Sequence, residues 1–163
     1  MQSWEILSVI ALLVFLGLVA ILLKSRGRRR LPYFSRGQLL TKGESAFYQC
    51  LRRALPPGTS LAPKVRLCDI IDCDTAARSK GFWHRISQKH VDFVLIDTET
   101  TDILLIIELD DATHNRRDRQ ERDAFVDQAF AAAGIQILHV KAAAKYNVNE
   151  IRASVMARVA GMR

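Results

Sequence analysis

The chain has 163 residues and a formal net charge of +7 at pH 7, which leaves room for one modest domain. The excess charge is uneven: residues 1–42 contain seven Lys/Arg and one acid, whereas residues 43–163 contain 17 Lys/Arg and 16 Asp/Glu. This balance argues against a generally basic nucleic-acid-binding domain, so any such contact needs a local patch. The three cysteines are odd in number and include no Cys-x-x-Cys pair, which argues against a disulfide framework.

An uncharged apolar run, Ile6–Leu23, predicts a membrane-spanning helix. As a helix it would extend about 27 Å, close to the thickness of a bilayer core. Five basic residues follow between positions 24 and 30, and they favour the cytoplasmic side. We therefore expect a transmembrane anchor over residues 5–24, a basic linker over 25–40 and a cytoplasmic domain over 41–163. A cleaved signal peptide is the alternative, but no basic residue precedes the run and no clear cleavage site follows it.

The first helix of the cytoplasmic part is predicted by its capping residues. Thr41 and Glu44 are spaced as a capping box, in which each side chain accepts a hydrogen bond from the other residue's backbone N–H. The turn sequence Pro56-Pro57-Gly58 ends the helix. The apolar stripe between these signals comprises Phe47, Cys50, Leu51, Ala54 and Leu55.

Three apolar runs in the middle of the chain predict β-strands. Residues 64–71 alternate between apolar and polar side chains, whereas residues 90–96 and 103–110 are almost wholly apolar and therefore indicate buried strands. The polar turn over residues 97–102 makes a hairpin the simplest connection between the last two. The polar residues 72–88 predict an irregular loop before this hairpin.

The last third of the chain predicts a helix, a strand and a second helix. The first helix covers residues 116–133 and ends at Gly134. A strand follows over residues 135–140, and Asn147 or Asn149 caps the final helix. The complete order indicates an α/β domain with a mixed sheet flanked by helices.

Two carboxylates interrupt the otherwise apolar strands of the predicted hairpin. If the hairpin is centred near Thr100, Ile96 faces Leu104, Val94 faces Ile106, and Asp92 faces Glu108. Opposed side chains lie roughly 5 Å apart, and like charges at that distance are destabilising. A cation between the two acids would remove this penalty, so the pair predicts a metal site. The alternative is two solvated acids paired with nearby lysine or arginine.

The order of elements and the two acids resemble the PD-(D/E)XK nuclease superfamily, which has the restriction-endonuclease-like fold. The closer resemblance is to a bacterial family named domain of unknown function 2726. It covers about residues 38–146, and the matching motifs are Lys89-His90-Val91-Asp92-Phe93-Val94-Leu95, Ile107-Glu108-Leu109-Asp110-Asp111 with His114, Arg122-Asp123 with Phe125, and Ala133-Gly134-Ile135.

This resemblance implies a restriction-endonuclease-like domain behind an anchor in the bacterial inner membrane. It also implies that Asp92 and Glu108 bind Mg²⁺ or Mn²⁺, which hard oxygen ligands suit. In the superfamily a lysine two residues after the second acid helps to activate water. Asp110 occupies that position here, so the resemblance leaves water activation unassigned.

Four further residues are candidates for the site, each with a structural alternative. Asp110 shares strand parity with Glu108, so it is a possible third metal ligand or an acceptor behind the ligands. Glu44 lies where first-helix acids of the superfamily approach the metal, although its capping role also explains it. His114 fits a general acid or base, or a phosphate contact, and equally a histidine bonded to the backbone of a turn. Arg122 leans toward the sheet and fits a phosphate contact or a pair with Asp110.

Two other patterns carry weaker expectations. Cys68, Cys73, His84 and His90 are spaced almost as a Cys2His2 zinc site, although buried cysteines and paired histidines explain them better. Phe82 and Trp83 fit a stacking platform for bases, but core or loop-anchoring aromatics are the favoured interpretation.

The sequence as a whole predicts a single-pass protein with its N-terminus outside and its domain in the cytoplasm. The predicted reaction is Mg²⁺-assisted hydrolysis of nucleic-acid phosphodiester bonds, with DNA favoured over RNA. The second hypothesis is a catalytically inactive, membrane-tethered module with the same fold that binds or scaffolds. The near-neutral charge of the domain and the missing lysine favour that hypothesis.

Overall fold

The structure is a computed structural model. It describes residues 3–26, 31–110 and 117–160, and the surroundings of side chains over 3–21, 31–110 and 124–160. The chain divides into two compact units, Met1–Gly37 and Gln38–Arg163.

The first unit contains one long helix, α1, over Ser3–Arg26. Its 19-residue stretch Ser3–Ile21 has a mean hydropathy of 2.5, so the helix is long and apolar enough to cross a membrane. None of this stretch is buried. Length and composition carry this assignment, and a signal sequence near an N-terminus passes the same test. The span therefore agrees with the predicted anchor, while its orientation stays a prediction.

A four-stranded mixed sheet forms the centre of the second unit. Its strands follow the chain order, with β1 over Thr59–Arg66, β2 over His90–Asp97, β3 over Ile103–Asp110 and β4 over Ile137–Lys141. Strands β1, β2 and β3 are antiparallel, whereas β4 pairs with β3 in parallel. The predicted α/β class with a mixed, helix-flanked sheet is confirmed.

In the described part of the second unit, five α-helices and one 3₁₀ helix accompany the strands. They are α2 over Lys42–Ala54, the 3₁₀ helix over Leu67–Asp69, α3 over Thr75–Ser79, α4 over Phe82–Ser87, α5 over Arg117–Ala132 and α6 over Val148–Val159. The predicted capping box of α2 is present, with both Thr41–Glu44 hydrogen bonds formed. Asn147 caps α6, and Gly134 follows α5 with a φ of +71° that favours glycine.

Each face of the sheet packs into its own apolar cluster. On one face, Phe93, Leu105 and Ile107 pack with the buried stripes of α2 and α6. On the other face, Val94 and Ile106 pack with Phe130 and with the residues that follow β1. Adjacent residues of β3 therefore serve opposite faces, as the alternation of a strand requires.

The first predicted strand was placed several residues too late. Strand β1 begins at Thr59 and ends at Arg66, and the chain then turns into the 3₁₀ helix, where Ile70 and Ile71 donate backbone hydrogen bonds to the Leu67 carbonyl. Leu67, Ile70 and Ile71 still contact the second apolar cluster. The apolar pattern therefore continues past the end of the strand, and this is why the predicted strand extended too far. The predicted loop over residues 72–88 contains the short helices α3 and α4.

The register of the hairpin is confirmed in its middle and differs near its turn. Val94 pairs with Ile106 as predicted, but Ile96 pairs with Ile103 rather than Leu104 because the register shifts between Leu95 and Ile96. The turn itself explains the shift. The Asp97 carboxylate accepts two backbone hydrogen bonds inside the turn, and Thr101 takes a left-handed φ of 63°.

Candidate functional site

Four titratable side chains meet at one end of the sheet and form the carboxylate–lysine cluster. Its members are Glu44 from α2, Lys64 from β1, Asp92 from β2 and Glu108 from β3. They come from four separate elements, so only the folded domain brings them together. Such convergence of titratable side chains is typical of functional sites.

Lys64 is the centre of the carboxylate–lysine cluster. Its Nζ lies 2.7 Å from Glu44 Oε1 and 2.7 Å from Asp92 Oδ1. The side chains of Lys64, Glu44 and Asp92 are only 18%, 17% and 15% exposed. These two ion pairs are thus largely withdrawn from water, where charge-assisted hydrogen bonds are strong.

The backbone of β1 is distorted at Lys64. Its φ of 57° is unusual for a residue with a side chain and costs about 1–3 kcal/mol. The alternation of side chains between the two faces of the sheet is also interrupted here. Ala62 and Val65 are three residues apart and would lie on opposite faces of a regular strand, yet both contact the same apolar cluster. The distortion coincides with the point where Lys64 meets Asp92 and Glu44. Strain of this kind is often retained at functional sites.

Asp92 and Glu108 lie against each other across the β2–β3 pair. The Asp92 N–H donates to Glu108 Oε2 at 3.4 Å, and the Leu109 N–H donates to Asp92 Oδ2 at 3.1 Å. Burial, together with the negative charge of Asp92, raises the pKa of Glu108 to about 8. At neutral pH the pair therefore holds one proton between two carboxylates.

The other three members of the cluster stay charged. Burial opposes ionisation of Asp92, but the Lys64 ammonium outweighs it and lowers the pKa of Asp92. The pKa of Glu44 is lowered in the same way, with help from the Thr41 N–H. Burial opposes the Lys64 charge as well, and its bonds to the two carboxylates nevertheless raise the pKa of Lys64. Lys64 is thus a permanent cation at neutral pH and cannot act as a base.

The donor set of the Asp92–Glu108 pair fits a hard divalent cation. Two adjacent carboxylates, one of which must otherwise hold a proton, supply oxygen ligands and leave positions for water or phosphate. Across the described side chains, no group of three or more His, Cys, Asp or Glu is arranged to hold a metal ion. The pair would therefore supply two protein ligands, and the zinc pattern of Cys68, Cys73, His84 and His90 does not assemble.

Asp110, the predicted third ligand, makes a different contact. Its Oδ1 lies 3.1 Å from His139 Nδ1, and His139 Nε2 lies 3.1 Å from Asp127 Oδ1 on α5. We call these three residues the histidine bridge. Burial opposes protonation of His139, but the two carboxylates outweigh it and raise its pKa. Asp110 is thus engaged in tying β3 and β4 to α5.

Two predicted residues cannot be compared with the structure. His114 lies outside the described residues, and Arg122 lies in α5 at a position where the side chain is not described. Their roles toward phosphate or water stay predictions. For Glu44 the predicted capping role is confirmed, because Oε2 accepts the capping bond. Its Oε1 accepts from Lys64, and its approach to a metal stays a prediction.

Sequence reasoning missed two residues, Lys64 and His139. Lys64 was the first residue of the predicted strand over residues 64–71, which was placed too late, and it was not among the candidate site residues. His139 is the single charged or titratable side chain within the apolar run Ile135–Val140, and that isolation was the available signal. It pairs with Glu108 in the β3–β4 register.

Together these features define a mixed α/β domain with a half-buried acidic cluster around a lysine. The family described as Protein of unknown function (DUF2726) matches residues 36–158, more than half of the chain, and the chain belongs to this family. No curated protein and no solved structure matches the chain. Family membership supplies no reaction, so only the carboxylate–lysine cluster points to a chemistry.

Proposed function

We propose that this chain is a nuclease that hydrolyses nucleic-acid phosphodiester bonds with Mg²⁺ or Mn²⁺. The domain would have the restriction-endonuclease-like fold of the PD-(D/E)XK superfamily. Helix α1 would anchor it in the bacterial inner membrane with the N-terminus outside and the domain in the cytoplasm. DNA is favoured over RNA as the substrate.

The observation that carries the proposal is the Asp92–Glu108 pair. Burying two carboxylates in contact raises the pKa of Glu108 to about 8 and costs folding energy. Their strands could bury apolar residues at these positions instead, as they do at neighbouring positions. Two carboxylates that reduce the stability of the fold are retained for a reason other than stability. Binding of a divalent cation between them is the simplest reason.

The residues of the carboxylate–lysine cluster would have different roles in the proposed reaction. Asp92 and Glu108 would hold the cation, which when bound polarises a phosphodiester and lowers the pKa of a water ligand. Lys64 holds Asp92 in position through its 2.7 Å bond. As a permanent cation it is also suited to donate a hydrogen bond to a phosphate oxygen. Lys64 thus offers the positive charge that the sequence lacks two residues after Glu108.

A cleavage experiment with the full-length protein in nanodiscs tests the proposal. Labelled single-stranded and duplex DNA and RNA would be incubated with Mg²⁺, with Mn²⁺ or with chelator. We expect metal-dependent cleavage that falls about 100- to 1,000-fold in Asp92→Asn and in Glu108→Gln. Glu99→Gln in the exposed hairpin turn is the matched control and should leave the rate unchanged.

The second candidate function is an inactive module that binds or scaffolds at the membrane. The ion pairs of Lys64 favour it, because the lysine already neutralises part of the negative charge that would attract a metal. Calorimetric titration with Mn²⁺ separates the two functions. Binding that disappears in Glu108→Gln supports the nuclease. Absence of both Mn²⁺ binding and nucleic-acid cleavage would contradict the nuclease proposal and support the scaffold.

A further inference from the structure

Residues 75–90, which contain α3 and α4, form a basic stretch of the second unit. We call them the aromatic–basic segment. They contain four Lys/Arg and two histidines but no acid, whereas residues 38–163 as a whole contain 18 Lys/Arg and 16 Asp/Glu. Outside this segment the second unit is therefore net negative. The segment is a local basic patch of the kind that a nearly neutral domain needs for a polyanion.

Two large aromatic side chains lie exposed on the same segment. Phe82 is 45% exposed and Trp83 is 37% exposed, so neither ring belongs to the core, and of the two interpretations favoured from the sequence only loop-anchoring aromatics stay open. Within residues 38–110 and 124–160, the other exposed large apolar side chains are Leu39 and Met156. Exposed aromatic rings among basic residues are typical of surfaces that stack unpaired bases.

The cations of the aromatic–basic segment lie close to its rings. Arg78 lies 5.4 Å from the centre of the Trp83 ring, and Arg85 lies 5.9 Å from that of Phe82. Arg78 also pairs with Asp72. Among the described residues, Lys80, Arg85 and Lys89 form no salt bridge. These three charges are thus available to phosphates.

A largely apolar groove of about 620 Å³ runs between the aromatic–basic segment and α5. Phe82, Ile86 and Phe125 are among its lining residues. Arg85 also lines it and lies 3.8 Å from the centre of the Phe125 ring. An apolar groove with aromatic walls and a guanidinium plane suits a flat, unpaired base, since bases stack on both kinds of surface.

We infer that the aromatic–basic segment binds an unpaired stretch of nucleic acid, with Phe82 and Trp83 stacking on bases and Lys80, Arg85 and Lys89 contacting phosphates. This inference rests on the proposed nuclease function and adds a preference for single-stranded substrate. Duplex bases are stacked on each other, so the exposed rings of the segment have no access to their faces. An anionic membrane is the competing partner, but bringing the rings into lipid would also desolvate the arginines beside them.

Fluorescence of Trp83 in the full-length chain tests the inference directly. The chain has two tryptophans, so Trp4→Phe leaves Trp83 as the sole reporter. The protein would be held in nanodiscs, with Asp92→Asn added to prevent cleavage. A single-stranded oligonucleotide should quench the emission saturably, and a duplex of the same sequence should bind at least about tenfold more weakly.

Anisotropy measurements on nanodisc-held Asp92→Asn protein with its native tryptophans supply the matched variants. Phe82→Ala and Trp83→Ala should each weaken single-strand binding about tenfold, Trp83→Tyr should restore most of it, and Met156→Ala should have no effect. Lys80→Ala should weaken binding and reduce its salt dependence by about one phosphate contact, whereas Lys145→Ala should not.

The outcomes separate this inference from the proposed function. Unchanged affinity in all segment variants overturns the inference, even if cleavage by Asp92 and Glu108 is established. Quenching of Trp83 by brominated lipids, without quenching by oligonucleotide, overturns it in favour of the membrane. Binding that depends on the aromatic–basic segment supports it, even if no cleavage is found and the nuclease proposal fails.

Discussion

The carboxylate–lysine cluster and the histidine bridge share strand β3 but differ in burial. Lys64, Glu44 and Asp92 are less than one-fifth exposed. In the histidine bridge, the side chains of His139, Asp127 and Asp110 are 36%, 47% and 52% exposed. Each group places a basic side chain between two carboxylates. Among the described residues, the half-buried group also contains a further acid, Glu108, whose pKa is raised to about 8.

This difference shows that burial, rather than the number of charges, decides what a charged cluster can do. Water screens an exposed pair and makes it worth little, so the histidine bridge serves as a modest tie between α5 and the sheet. In the half-buried cluster the same charges interact more strongly and cannot be removed singly without cost. The proposed chemistry requires such a cluster, because it depends on charges that are withdrawn from water.

The largest expected effect comes from removing the central cation of the buried cluster. Lys64→Met leaves the half-buried carboxylates of Glu44 and Asp92 without their cation, and we expect a loss of about 3 kcal/mol in the free energy of unfolding. Denaturant unfolding of the full-length chain in detergent, followed by circular dichroism, measures it. Lys145→Met, an exposed lysine, is the control and should change stability little.

A double variant sharpens this result. Lys64→Met with Asp92→Asn removes one charge of each sign. The loss of unfolding free energy in this double variant should therefore be smaller than the sum of the losses in the two single variants. Simple additivity would contradict a direct coupling between Lys64 and Asp92.

The next effect is a pH dependence of stability that belongs to Glu108. Its pKa is raised from 4.5 to about 8 by burial and by Asp92, so the folded state binds the proton more tightly than the unfolded state does. Its contribution is complete below about pH 4 and falls by up to about 1.4 kcal/mol per pH unit as the pH rises toward 8. Unfolding at pH 5, 6, 7 and 8 measures this slope. Glu108→Gln should flatten it and Glu99→Gln should not.

The same proton gives a second measurement on Glu108. If a metal ion replaces the shared proton, Mn²⁺ binding below pH 8 should release about one proton. Calorimetry in two buffers with different heats of ionisation counts it. Proton-independent Mn²⁺ binding would place the metal somewhere other than the Asp92–Glu108 pair.

The smallest effect is expected at the histidine bridge. His139→Asn removes two screened ion pairs, so the loss should stay below about 1 kcal/mol. The carboxylates raise the pKa of His139, so its contribution is present below about pH 6.5 and is lost as the pH rises through the raised value. A small stability difference between the wild type and His139→Asn at pH 6 that shrinks as the pH rises is the expected pattern. A loss as large as that of Lys64→Met would show that exposure is the wrong criterion.

The sequence by itself determined the local elements and part of the site. The capping box at Thr41, the hairpin pairing of Val94 with Ile106 and the stop at Gly134 follow from short-range rules, because their signals lie within a few residues. Asp92 and Glu108 were found for the same reason, since a short hairpin fixes which residues meet. Strand β1 was misplaced because its apolar pattern continues into the 3₁₀ helix that follows.

Only the tertiary structure decided which charges meet. Lys64 is 28 residues from Asp92 and 20 from Glu44 along the chain, and His139 is 29 residues from Asp110. No local pattern relates such positions, because they become neighbours through strand pairing and helix packing. Burial is decided in the same way, and it makes the charges at one end of this sheet a candidate site.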